Sequence, residues 1–228
     1  MTKIGSRETI DQIVDEARSY FDAKNKAREQ ALAGARGVIR ASANAIRAIH
    51  RHEFPRAAQL LAEARQALQD AITAVSQYGD VRYAGFIHDA EKEYAEATTV
   101  LALLDGQPLP GPTEVGVEWP AYLNGLGEAI GELRRFLLDG LRRGEPIESE
   151  ALLDAMDSIY DVLVTIDYPD SITGGLRRTT DVARGILEKT RGDLTAAALQ
   201  DQLSREMATV EARIANVSSR LDLAPGTC

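Results

Sequence analysis

Cysteine, histidine and aromatic side chains are all scarce in this chain, and each scarcity removes a class of function. One cysteine, Cys228, excludes a disulfide scaffold and a zinc site built on thiolates. The three histidines, His50, His52 and His88, show no metal-motif spacing, so a zincin is excluded too. No Gly-x-Ser-x-Gly run, phosphate loop or dinucleotide fingerprint is present. There is no apolar run of about 18 residues, so no membrane span is expected. The opening MTKIGSRETI does not read as a signal peptide, which makes the cytoplasm the expected compartment. Positive charge is in deficit as well: the net charge is −9 and the pI about 4.9. That argues against coating duplex DNA by overall charge, but leaves room for a local basic groove.

Helical periodicity fills most of the chain. Ile10, Ile13, Val14, Ala17 and Phe21 keep helical spacing in a proline-free stretch that predicts one long helix over about residues 6–52, with Gly34 and Gly37 as weak points. Pro55 suits the first turn of a second helix ending near Gly79. A third is expected from about Arg82 to Leu104. The segment 105–119 holds Gly106, Pro108, Pro110, Gly111, Pro112 and Gly116 and reads as the one clear loop. A fourth helix follows Trp119-Pro120, and a fifth runs from near Pro146 to about Ile166. The β-branched run Val162 to Ile166 reads as a buried helix end. A sixth helix is expected over about 171–191 and a seventh over about 195–221. No strand-like alternation appears, so residues 1–228 are expected to form a single all-α domain, an antiparallel bundle of seven helices.

Carboxylates recur at spacings that place them on one helix face. Glu93 and Glu96 stand three apart, and Glu128 and Glu132 four apart in the setting Leu126-Gly127-Glu128-Ala129-Ile130-Gly131-Glu132-Leu133. Acids among small apolar neighbours point to an interior or a cleft. Two such pairs on adjacent helices would suit a hard, oxygen-seeking cation such as Mg²⁺, which activates water and offsets charge on a phosphate. The plain alternative is that helices rich in acids form such pairs by chance. Glu150, Asp154, Asp157 and Asp161 form a further acidic stripe, better read as a solvated face. A ferritin-like di-iron site needs Glu-x-x-His on two helices, and no glutamate stands three before a histidine. In the first helix Arg36, Arg40, Arg47 and Arg51 fall within a narrow arc. Such a stripe suits a nucleic-acid backbone, or salt bridges to acidic helices. Arg134, Arg135, Arg142 and Arg143 are a second basic set.

Several short segments resemble one family. Glu93-Tyr94-Ala95-Glu96-Ala97 is similar to the Glu-Tyr-x-Glu-Ala motif of Trax, the translin-associated factor X. Tyr122-Leu123-Asn124-Gly125 and Glu128-Ala129-Ile130-Gly131-Glu132-Leu133 resemble the family's Tyr-Leu-x-Gly and Asp-x-x-Gly-Glu-Leu run, with Glu128 where Asp is common. Asp181-Val182 and Arg191-Gly192 are similar to landmarks of its carboxyl-terminal helices. The resemblance extends from roughly the second helix to Gly192, in the family's order.

The resemblance implies a translin-type seven-helix bundle that assembles into a closed, octamer-like shell. The shell would form from this chain alone or with a translin-like partner, and would bind single-stranded RNA or DNA. It also implies a Mg²⁺-dependent endoribonuclease, with Mn²⁺ as a substitute, whose catalytic and metal-holding residues are Glu93, Glu96, Glu128 and Glu132. Translin proper lacks most of these acids, so the chain reads as Trax-like; its compact, acidic form fits a prokaryotic or archaeal member. The alternative is a non-catalytic single-strand-binding oligomer of the translin type. The few aromatics near the basic stripe, Tyr83 and Phe86 among them, offer little stacking, so weak sequence preference is expected.

Overall fold

Small residues at helical spacing decide where the long helices touch. A computed structural model describes residues 7–144 and 148–222, and no strand occurs among the described residues. The first helix, α1 (Arg7–His50), is unbroken for 44 residues, roughly 66 Å. Gly34 does not weaken it but serves its packing. A Cβ there would lie 3.0 Å from the Cβ of Ala71 on α2 (Phe54–Ala74), so the glycine lets the two helices close up. Pro55 lies in the first turn of α2 as expected, but that helix ends at Ala74, and 75–78 turn with Val75 and Tyr78 buried.

A single turn, α3 (Gly79–Arg82), leads into α4 (Gly85–Leu104). The proline-rich loop that follows contains one short turn, α5 (Pro112–Val115), whose Pro112 and Val115 are buried. Helix α6 (Trp119–Arg143) stops at Gly144, where φ is +67° and a side chain would be strained. The expected helix start at Pro146 lies outside the described residues; α7 covers Ser149–Leu163. Of the β-branched run only its start is helix end. Leu163 is buried, whereas Val162 and Val164 stand exposed, so the helix closes three residues before Ile166. After the turn α8 (Asp170–Thr173), the helix α9 runs without a break from Leu176 to Asp222.

That continuity corrects the expected separation into helices at 171–191 and 195–221. Gly192 costs about 1 kcal/mol in a helix, too little to stop one propagated from both sides. Arg191 to Asp157 (2.5 Å) and Arg134 to Asp193 (2.6 Å) also hold this stretch against α7 and α6. Among the described residues, then, six long helices and three single turns make an all-α fold. Helix α1 packs on α2 and α4, α4 on α6, and α6 on α7 and the first half of α9. Ile49, Ile130, Leu133, Leu137, Met156, Leu163 and Leu187 are fully buried at these contacts, each worth about 2 kcal/mol of removed apolar surface. No described helix is long and apolar enough to cross a membrane.

Candidate metal centre

The site begins with the absence of a side chain at Gly125. A Cβ on this residue would sit 2.6 Å from the backbone oxygen of Lys92 and 2.9 Å from the backbone nitrogen of Glu96. Only glycine lets α6 press this closely on α4. Gly127 and Gly131, flanking the acids, serve a different neighbour: their Cβ positions face Thr179 and Ile186 on α9. The residues beside Gly125 fix the rest of the frame. Tyr122 donates its hydroxyl to the Pro110 carbonyl (2.7 Å) and pins the proline-rich loop. Asn124 is buried, donates to the carbonyls of Pro120 and Thr173 (2.8 Å each) and accepts from the Thr179 hydroxyl (2.6 Å). The run Tyr122-Leu123-Asn124-Gly125 is thus a joint between α6, the loop, α8 and α9.

This approach draws carboxylates from two helices together. One oxygen each of Glu93, Glu96 and Glu128 lies within 4.8 Å of the others. Glu96 is buried, and Glu93 and Glu128 are partly so. Burial, then the charges of Glu93, Glu128 and Glu132, push the Glu96 carboxyl up to about 8. Glu93 is raised chiefly by burial, against the pull of Lys92. Lys92 donates to Glu128 at 2.8 Å. Burial works against its charge, but this hydrogen bond and the surrounding acids leave the ammonium net raised.

The fourth expected residue, Glu132, is not part of the trio. Its carboxylate meets His50 Nε2 at 2.5 Å, with the Arg135 guanidinium 3.7 Å away. His50 is buried and its Nδ1 has no hydrogen-bond partner. An ionised carboxylate can only accept, so in this hydrogen bond Nε2 carries the proton and donates it to Glu132. Beside the trio opens a cavity of about 680 Å³, whose walls include His88, Lys92, Asn124, Glu128, Arg178 and Thr179. Gly174 lets its wall close: φ is +64°, and a Cβ there would lie 3.0 Å from the His88 ring. Burial holds the His88 imidazole below its ordinary range.

His50, His88, Lys92, Asn124 and Arg178 were not singled out by spacing. Asn124 stands inside a quoted motif, and Lys92 immediately precedes one; these were the available signals. Nothing local links His50 to a glutamate 82 positions away.

Of the basic stripe, Arg36, Arg40 and Arg47 lie along α1, whereas Arg51 stands in the turn just past its end at His50 rather than in a helix reaching 52. Arg36, Arg40, Arg47 and Arg51 are all exposed; Arg51 pairs with Glu53 at 2.9 Å and Arg47 donates to Asn44 at 2.5 Å. Arg36 and Arg40 have no ion-pair partner among the described residues. The second basic set is more engaged, with Arg134 on Asp193, Arg135 near Glu132, and Arg143 against His52 at 3.2 Å. In the acidic stripe Glu150, Asp154 and Asp161 are exposed, while Asp157 holds Arg191.

No protein-family model matches the chain. Solved structures do. AfC3PO in complex with duplex RNA is 31% identical, with 82% of this chain and 97% of that chain covered and a TM-score of 0.76; a crystal structure of AfC3PO gives the same values. The crystal structure of apo-NeC3PO, at 20% identity, covers 85% of this chain and all of its own with a TM-score of 0.69, a likeness of fold. A protein of Methanocaldococcus jannaschii is 29% identical over 181 residues, 77% of this chain and 78% of its own length.

Proposed function

Because the chain belongs to the translin/Trax family, we propose that it binds RNA and cleaves its phosphodiesters at the α4–α6 carboxylates with a divalent cation, Mg²⁺ or Mn²⁺. The observation that carries this reading is the convergence of Glu93, Glu96 and Glu128 within 4.8 Å, where burial and the neighbouring acids push the Glu96 carboxyl up to about 8. The donor set fits the ion. Mg²⁺ takes oxygen ligands at about 2.0–2.1 Å, so ligand oxygens on one ion lie within about 4.2 Å of each other, a small side-chain adjustment from the present spacing. Protonated and crowded acids are what a cation would relieve. When bound, such an ion offsets charge on the phosphate and lowers the pKa of water.

The chain's own residues supply the remainder. Glu93, Glu96 and Glu128 would hold the ion, with the Glu96 proton released to solvent. Lys92 and Arg178, both at the cavity, orient the phosphate by charge and hydrogen bonding. Glu132, held by His50, stays close enough to raise Glu93 and Glu96 and completes the acidic wall. Arg36, Arg40, Arg47 and Arg51 attract the RNA backbone; His50 joins the C-terminal end of their helix to Glu132. RNA is favoured over DNA because the similar AfC3PO has a solved structure in complex with duplex RNA, and duplex as well as single strands belong in the test. Self-association into a shell accords with the exposed Ile10, Ile13 and Phe21 of α1 and is measured by light scattering, with and without a translin-like chain.

Binding without cleavage is the competing reading. It draws on Lys92, which already neutralises Glu128. The deciding experiment incubates single-stranded and duplex RNA with the protein in Mg²⁺, Mn²⁺ or EDTA, alongside Glu96→Gln and the pair Glu128→Ala/Glu132→Ala. Cleavage that requires the cation and disappears in both variants supports the nuclease. Cleavage that survives EDTA ends the metal mechanism, and RNA binding with no cleavage in any cation selects the translin-type reading.

A further inference from the structure

Leu194 is the last buried residue described on α9. From 195 to 215 the helix leaves the bundle, roughly 30 Å of it, with Ala197 alone partly covered. An exposed helix of this length is expected to be polar all round. This one carries Leu199, Leu203, Met207, Val210 and Ile214, exposed by 63, 58, 56, 52 and 61%. From Leu203 the intervals are four, three and four, the alternation of a coiled-coil seam, with Leu203 and Val210 at d and Met207 and Ile214 at a. A groove of about 300 Å³ lies along it, lined by Leu203, Glu206, Met207, Val210 and Glu211. The first four stand at d, g, a and d, the four corners of a hole that receives one knob from a facing helix.

The flanking charges choose the occupant and its direction. On this register Glu206 and Arg213 are g positions, and Ser204 and Glu211 are e positions. A parallel copy would set Glu206 against the partner's Glu211, like against like. An antiparallel copy sets Glu206 against the partner's Arg213, and Arg213 against the partner's Glu206, two opposite-charge contacts related by the two-fold axis. Residues 195–215 carry two arginines and three acids, so their overall charge hardly opposes self-pairing.

We infer that this limb of α9 pairs antiparallel with the same limb of a second copy, as a two-stranded coiled coil in which Leu203 layers against Ile214 and Met207 against Val210. The pairing lies outside the carboxylate site and stands whether or not the protein cleaves RNA.

The test uses the full chain with Cys228→Ser, so that no other thiol is present. Chains carrying Glu206→Cys are mixed with chains carrying Arg213→Cys and treated with a short bismaleimide; a second mixture combines Glu206→Cys with Glu211→Cys. In the antiparallel pair the first two positions share one edge of the coil, while the second two lie on opposite edges. Covalent dimer is expected in the first mixture and not in the second. Adding Val210→Lys to both chains, a change at an exposed position that leaves the bundle folded, should lower the yield by roughly tenfold or more. Dimer in the second mixture alone, equal yields from the two, no dimer in either, or a yield indifferent to Val210→Lys would each overturn the proposal.

Discussion

The contact between α4 and α6 and the free limb of α9 are both amphipathic helix surfaces, yet they bury opposite things. At the first, Gly125 brings backbones together and carboxylates are enclosed; Glu96 is 8% exposed. At the second, leucine and isoleucine face water while the acids beside them are solvated. The α4–α6 surface is completed within the chain, because the neighbour that fits it arrives soon after, 36 residues on in the Lys92–Glu128 pair. The α9 seam is followed by no such neighbour among the described residues. A periodic pattern states that a surface will be covered; it does not state by whom.

The sharpest way to break the enclosed side is Gly125→Val. Alanine would ordinarily gain about 1 kcal/mol over glycine in a helix. Here even the first added carbon falls 2.6 Å from a backbone oxygen, which cannot rotate away. The expected loss is about 3 kcal/mol, the upper part of the range for overpacked contacts, read as a shifted urea midpoint. The matched change on the open side, Leu203→Ala, removes as much side chain but should alter unfolding of the bundle by less than about 0.5 kcal/mol.

Acidity comes next. The folded chain binds the Glu96 proton more tightly than the unfolded chain does, since burial and the neighbouring acids raise its carboxyl to about 8 from 4.5. The stability linked to this proton is therefore fully present below about pH 4.5, drains away as the pH rises, and is lost above about 8. At about 1.4 kcal/mol per pKa unit the swing is several kcal/mol. Glu96→Gln should flatten this part of the stability–pH curve and exceed the parent in stability at pH 9. Mg²⁺ added at pH 7 should stabilise the parent and release a proton in calorimetry run in buffers of different ionisation enthalpy, and do neither to the variant. A parent curve that rises from pH 5 to 9 would contradict the placement of Glu96.

These two cases mark what could be read without coordinates. The i,i+3 and i,i+4 spacings put Glu93 with Glu96 and Glu128 with Glu132, because helix geometry is local. Spacing alone does not rotate one helix against another, so it could not separate Glu132 from the trio or join it to His50. The glycines beside the acids, Gly127 and Gly131, do not bring α6 to α4 but face α9, and nothing in the local pattern marks Gly125 as the point of closest approach to α4. The false break near 191–195 has the same origin. Gly192-Asp193 resembles a helix end locally, whereas ion pairs from Asp157 and Arg134, far away in sequence, hold that stretch in place.

His50 allows a milder break. With His50→Ala, Glu132, only 24% exposed at its side chain, loses its direct partner and keeps Arg135 at 3.7 Å. A partly buried acid left without its hydrogen bond costs about 1–3 kcal/mol. His50→Gln, which retains an N–H donor, should recover part of this in thermal melts. Equal melts for the two variants would show that the ring's packing against Phe136, 6.2 Å between centroids, matters more than the hydrogen bond.

The smallest effect on stability belongs to the exposed arginine stripe. Arg40 and Arg47 are exposed, and Arg47 donates a hydrogen bond to Asn44, one turn away on the same helix. Reversing both, Arg40→Glu with Arg47→Glu, should change unfolding by less than about 0.5 kcal/mol. Under the proposed function the same pair should weaken RNA binding for every sequence. The slope of log affinity against log salt should fall by about 1.4 to 1.8, since each lost phosphate contact removes about 0.7 (single strand) to 0.9 (duplex). Filter binding at several salt concentrations measures both quantities on one protein preparation. An unchanged slope with unchanged affinity would move the RNA off α1; a large loss of stability would mean that the stripe, as proposed for the α9 seam, is covered by another copy of the chain.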